Sequence, residues 1–145
     1  MPTTNDVKKL KPNTMLKAQL AIDKLNRDGV RFAISETYRE QAVQDAYYAQ
    51  GRQSLDVINT LRKKAGLKDI SAKEGMNIIT HAKISKHTAG NALDVYPTNE
   101  TGSIIWNATR DKFIPIAEVF KSFGFEWGGD WGEFIDLPHF EYNKG

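Results

Sequence analysis

Apolar positions along the chain change their period several times, and each change marks an element. From Pro12-Asn13-Thr14 onward, Met15, Ala18, Ile22 and Leu25 recur at helical spacing, and Gly29 stands where a C-terminal cap belongs. This predicts a covering helix. Val30 to Ser35 then alternates like a half-buried strand, with Val30, Phe32 and Ile34 on one side. Glu40 to Gln50 returns to helical spacing through Ala42, Val43, Ala46 and Tyr47, and Gly51 stops it. Between Gln53 and Ile79 the pattern weakens. Leu55, Ile58 and Leu61 suggest a short helix ending near Gly66, and Ser71-Ala72-Lys73-Glu74 fits a capping box that Gly75 undercuts. The whole piece reads as an insertion bordering a binding groove, where variable loops tune specificity.

A second alternation begins at Ala92. Ala92, Asp94 and Tyr96 share one face of a strand, while Leu93 and Val95 face an apolar core, and Pro97 ends the run. Asn99-Glu100-Thr101-Gly102 reads as a hairpin loop that returns through Ser103-Ile104-Ile105-Trp106. A helix follows, starting between Asp111 and Ile114, with Phe113, Ile116, Ala117, Phe120 and Phe123 inward and Gly124 closing it. Pro115 is tolerable only near its first turn. Phe125 to Tyr142 holds two short extended runs around Gly128-Gly129. The order of elements predicts an α+β fold whose small, mainly antiparallel sheet is flanked by helices.

Composition narrows the function classes. With 145 residues, 40% of them hydrophobic, the chain makes one domain spanning 1–145, with a real core and no room for a second. Twenty Lys and Arg stand against 18 Asp and Glu, a mild basic bias without the concentrated patch that nucleic acid would require. No cysteine is present, which removes disulfides and cysteine-bearing zinc sites. Residues 1–9 lack the apolar run of a signal peptide, and no span is long enough to cross a membrane. Synthesis as a soluble, monomeric cytoplasmic protein is expected.

The candidate chemistry sits in two segments. His87 and Asp94 are seven residues apart, which a helix would set two turns apart, too far for one small ion. Gly90 between them argues instead for a turn that brings His87 back toward a strand carrying Asp94. Asp136-Leu137-Pro138-His139-Phe140-Glu141 again places an imidazole near carboxylates. Two histidines and one aspartate make three ligands, the usual number for a catalytic zinc that keeps its fourth position open. The chain has only three histidines, and His81 is the spare.

These residues carry a family resemblance. Ser85-x-His87-x-x-Gly90-x-Ala92-x-Asp94 resembles the S-x-H-x-x-G-x-A-x-D motif of the zinc D-Ala-D-Ala carboxypeptidase and L-alanyl-D-glutamate endopeptidase family, which includes many phage endolysins. Ser35-Glu36-Thr37-Tyr38-Arg39, with Gln44 and Tyr48 to Arg52, is similar to the family's arginine-bearing segment. Phe123 to Trp131, leading to Asp136-x-x-His139-Phe140, is similar to its C-terminal block. The matches run in order from Ser35 to Glu141.

The resemblance implies a hedgehog/DD-peptidase-like fold, zinc held by His87, Asp94 and His139, and a bacterial peptidoglycan stem peptide as substrate. It implies Asp136 as general base, with Asp130 and Glu141 as rivals, and Arg39 as the group that binds substrate or a developing oxyanion. Gln44 and Ser85 match positions that line the groove, where each either orients substrate or ligand or serves as a capping or structural polar residue, and Phe125, Trp127 and Trp131 read as core and groove wall. The expected activity is hydrolysis of the L-alanyl-D-glutamate bond by a lysis enzyme that lacks a wall-binding domain and reaches the wall after the membrane is breached. The alternatives are a D-Ala-D-Ala carboxypeptidase and a non-catalytic zinc module for wall binding or signalling.

Overall fold

Local chemistry sets the ends of the helices. In the computed structural model, which describes residues 3–83 and 85–144, α1 (Pro12–Arg27) begins with proline in its first turn, where a missing N–H costs nothing. It ends as expected at Gly29, whose φ is 71°. The Gly29 and Val30 amides donate back to the Asn26 and Leu25 carbonyls and close the last turn. The first two of the nine residues used to judge a signal peptide, Met1 and Pro2, lie outside the described residues.

The strands are β1 (Phe32–Glu36), β2 (Ala92–Pro97), β3 (Glu126–Trp127) and β4 (His139–Glu141). They form one antiparallel sheet in the order β1-β2-β4-β3. Alternation sorts its two faces. Leu93, Val95 and Phe140 are fully buried on one, against α1 and α5 (Arg110–Ser122), where Phe113, Ile116 and Phe120 meet them. Phe120 stacks on Phe140 at 4.7 Å and meets Phe125 edge-on at 5.2 Å. Each such side chain contributes about 1.5–3 kcal/mol by leaving water.

The opposite face carries Asp94, Tyr96, His139 and Glu141, because Asp94 pairs with His139 and Ala92 with Glu141 across β2 and β4. On β1 the ladder slips between Ile34, opposite Val95, and Glu36, opposite Asp94. In an unbroken strand Glu36 would follow Phe32 and Ile34 into the apolar core. The extra residue, Ser35, inverts the parity and turns the Glu36 carboxylate to the face of Asp94.

Helices α2 (Gln41–Ala49), α3 (Leu55–Lys64) and α4 (Ala72–Gly75) form a wall beside that face. Val43, Ala46 and Ile58 are its buried contacts, and Ser54 and Ser71 cap α3 and α4 through the Val57 and Glu74 amides. Of the suspected insertion, α3 packs on α2, and the stretch after α4 turns toward the sheet.

Two expectations are corrected. Residues 103–106 return beside the end of β2 as a hairpin, but they pair through the single Thr98–Ile104 bridge and not as a strand. The Asn99 side chain accepts from the Thr101 and Ser103 amides, so the loop satisfies itself locally instead of extending a ladder. Helix α5 starts at Arg110, which puts Pro115 beyond its first turn. The carbonyl that loses its partner is that of Asp111, an exposed residue at the surface.

Candidate metal centre and its cavity

His87 reaches the sheet because the turn before β2 is tied down at several points. The Ser85 hydroxyl accepts the His87 amide at 3.1 Å, and the Gly90 amide donates to the His87 carbonyl at 3.1 Å. Gly90 has φ 76°, and its own carbonyl takes the Lys11 amide at 2.9 Å. The end of β1 holds the loop from the other side, where the Arg39 amide donates to the His87 carbonyl.

His87 is 3% exposed, and its Nδ1 donates to the carbonyl of fully buried Thr37 at 2.8 Å. That bond sets the tautomer and leaves Nε2 free, 3.0 Å from Asp94 Oδ1. His139 is placed with the opposite polarity. Its Nε2 meets Glu141 Oε1 at 2.8 Å, and its Nδ1 stands 3.5 Å from the same Asp94 oxygen. One ligand atom from each of His87, Asp94 and His139 lies within 4.8 Å of the other two.

This donor set fits zinc. Ligands about 2.0–2.1 Å from a tetrahedral ion stand about 3.3 Å from one another, close to the separations of the two nitrogens from Asp94. Each imidazole also has its outer nitrogen engaged by a carbonyl or carboxylate, the support that orients a metal-binding histidine. The metal-free electrostatics agree. Burial pushes the Asp94 carboxyl up, but the His87 charge and hydrogen bonds from both imidazoles prevail and hold it well below the usual range. Burial works against His139 charging, but bonds to Asp94 and Glu141 and the Asp94 and Asp136 charges raise it to about 9.

The three side chains open into a cavity of about 890 Å³. Tyr47 and residues 78–82 wall it on the β1 side, Trp131 and residues 133–136 on the β4 side, and the His81 and Phe134 rings stack across it with centroids 3.6 Å apart. Asp136 lines it from the loop before β4. That loop closes tightly because Gly128 lets the Asp136 carbonyl approach, where a Cβ would come within 2.2 Å of it. Burial, then the Asp94 charge, raises the Asp136 carboxyl above the ordinary value.

Of the rival acids, only Glu141 lines the cavity, and both are engaged by other partners. Asp130 bonds Lys121 at 2.7 Å at the surface, and Glu141 is held between His139 and Asn143. Arg39 points into the cavity through a network. Its Nε donates to Glu36 at 3.2 Å, a second nitrogen pairs with the other Glu36 oxygen, and a third donates to Gln44 Oε1 at 2.7 Å. A guanidinium has five N–H donors, so two remain.

Gln44 is fully buried and passes its amide nitrogen to the Ala82 carbonyl at 2.5 Å. It therefore holds Arg39 and the cavity rim without facing the cavity, the structural one of the two roles its position allowed. Ser85 does line the cavity, although its hydroxyl serves the His87 turn. Trp131 is groove wall, with its ring 5.2 Å from His139, whereas Phe125 and Trp127 belong to the core. Spare His81 sits outside the ligand set and on the rim. The sequence reading missed Thr37, Glu36 and Glu141 as supports. Glu141 was legible from its position two residues beyond His139 on a strand, whereas the Thr37 carbonyl leaves no signal in residue type.

Residues 79–142 match the family described as D-alanyl-D-alanine carboxypeptidase. The chain is 34% identical over 122 residues to the peptidoglycan L-alanyl-D-glutamate endopeptidase CwlK of Bacillus subtilis (strain 168), covering 78% of this chain and 61% of that protein. It is 31% identical over 139 residues to the L-alanyl-D-glutamate peptidase of Listeria phage A118, covering 95% of this chain and 40% of the phage protein. It thus spans about three fifths and two fifths of the lengths of these curated relatives. The L-Ala D-Glu endopeptidase ChiX of Serratia marcescens shares the fold, with a TM-score of 0.61 at 23% identity over 94% of this chain and 83% of that one.

Proposed function

We propose that the protein is a zinc-dependent peptidase that cuts the L-alanyl-D-glutamate bond of the peptidoglycan stem, a reading supported by the match of residues 79–142 to the family described as D-alanyl-D-alanine carboxypeptidase. The observation that carries this reading is the convergence of His87, Asp94 and His139 at the floor of a cavity also lined by Asp136 and Arg39. The names of the two curated relatives favour this bond.

His87 Nε2, an Asp94 oxygen and His139 Nδ1 would hold the ion. When bound, zinc supplies a Lewis acid that polarises a carbonyl and acidifies water. The remaining work falls to the chain's own groups. The Asp136 carboxylate takes a proton from the attacking water as the new C–O bond forms. It returns that proton to the amine nitrogen as the C–N bond breaks. Its partly desolvated setting makes it more basic than a surface aspartate. The two uncommitted Arg39 N–H groups hold the anionic oxygen of the intermediate or a carboxylate of the stem. Glu36 and Gln44 fix that guanidinium before substrate arrives.

Among the described residues no helix is long and apolar enough to cross a membrane. A role in wall lysis once the membrane has been breached is part of this proposal, and the phage source of one relative is in keeping with it. The test is incubation of purified protein with bacterial walls, with and without chelator, followed by identification of the newly freed amino terminus. A new amino terminus on D-glutamate that no longer forms after chelation is the expected result. The family's description favours a second reading, loss of terminal D-alanine, which the same assay would reveal. Wall binding without cleavage at any zinc load would favour a non-catalytic module.

A further inference from the structure

The cavity has a direction. Its walls stand on either side of β2, so that strand gives an extended peptide its axis, and the surface differs in character toward the two ends of the strand, with Tyr96 and Trp106 just outside the residues that line the cavity. Toward the start of β2 stand Arg39 and exposed Lys86, whose carbonyl takes the Asn91 amide at 2.9 Å. Toward its end stands Tyr96, two residues beyond Asp94 on the same face, or about 7 Å along the strand.

Tyr96 is backed by Phe113 at 5.9 Å and meets Trp106 edge-on at 4.9 Å. Trp106 is 66% exposed. Its backbone is carried there by the bond from the Ile105 amide to the Pro97 carbonyl, at the point where β2 ends. A lone exposed tryptophan needs no explanation. One propped on a tyrosine in line with a metal ligand has a defined position relative to the chemistry.

Resting on the endopeptidase reading, we infer that Trp106 and Tyr96 form a saccharide subsite that takes the sugar ring carrying the stem peptide. The connectivity of the substrate sets the distance. L-Alanine is the first stem residue, and its amine is acylated by the lactyl ether of the sugar. The ring therefore lies one residue and one short linker from the scissile carbonyl, about 7 Å at the reach of an extended chain. On the other side of the bond, D-glutamate brings a carboxylate. Charge complementarity sends that side toward Arg39 and Lys86 and leaves the uncharged ring face for the aromatic pair.

The test compares a free stem peptide with the same stem carried on an N-acetylglucosaminyl-N-acetylmuramyl disaccharide. The parent enzyme is expected to show a higher kcat/KM on the sugar-borne stem. Trp106→Ala should shrink that preference roughly three- to tenfold through KM, the worth of one stacked ring, and Trp106→Phe should restore most of it. A preference unchanged in Trp106→Ala, or no preference in the parent, overturns the subsite and leaves the endopeptidase reading standing. Calorimetric titration with peptide-free glycan oligomer separates the reverse case. Binding that Trp106→Ala abolishes, in a protein that cuts neither stem, sustains the subsite and sinks the peptidase.

Discussion

Replacing Glu141 by alanine isolates the support of one ligand from the ligand itself. The carboxylate holds His139 Nε2 at 2.8 Å, and both residues are buried, at 9% and 7% exposure. A hydrogen bond to a charged group is worth about 1.5–3 kcal/mol, or roughly ten- to a hundredfold in zinc affinity at about 1.4 kcal/mol per decade. An opposing effect must be removed first. Glu141 also helps raise metal-free His139 to about 9, so at neutral pH the parent must give up a proton to bind zinc. Losing Glu141 relieves that competition and offsets part of the loss.

Competition against a chromophoric chelator at about pH 9.5, where the imidazole is mostly neutral, reads chiefly the orienting contribution. There Glu141→Ala should bind zinc roughly ten- to a hundredfold more weakly, with Glu141→Gln between it and the parent and the deficit smaller at pH 7. A folded Glu141→Ala variant, by circular dichroism, that binds within twofold of the parent at the higher pH would refute the argument.

Asp136→Ala should keep its zinc and lose about 10²–10⁴ in hydrolysis, whereas His139→Ala should lose both, by metal analysis and counts of freed amino termini. Full activity in Asp136→Ala would move the base to another acid. Gln44→Leu leaves a half-buried Arg39 N–H and the exposed Ala82 carbonyl without their partner. It should destabilise the fold by about 1–3 kcal/mol in thermal melts and raise KM. In chelated protein, His139 titrates near 9 when folded against 6.5 ordinarily, so its stabilisation is complete below pH 6.5 and disappears as pH rises through 9. Melting temperatures across that range should fall in the parent and flatten in His139→Asn.

Much of the scaffold was legible because burial and periodicity coincide. Leu93 and Val95 against Asp94 and Tyr96 announced both faces of β2, and Gly29 and Gly51 stopped their helices as read. The site was legible where residue types carry the chemistry, at His87, Asp94 and His139. What stayed hidden was set by backbone. A carbonyl such as that of Thr37 has no identity in the sequence, and a slipped ladder at Ser35 cannot be foreseen from alternation that continues unbroken into it. Gln44 shows the other limit. A polar residue at a groove position reads alike whether it meets ligand or, fully enclosed, fastens the residue that does.

The irregular step at Ser35 divides β1 into two jurisdictions. Upstream, substitutions answer to the volume available under the sheet; downstream, they answer to the charge around Arg39. Homologous recombination cut at this seam exchanges one set of demands without disturbing the other, whereas a crossover that drops the additional residue straightens the chain on its way to Arg39. Variation in the two stretches should therefore be uncorrelated.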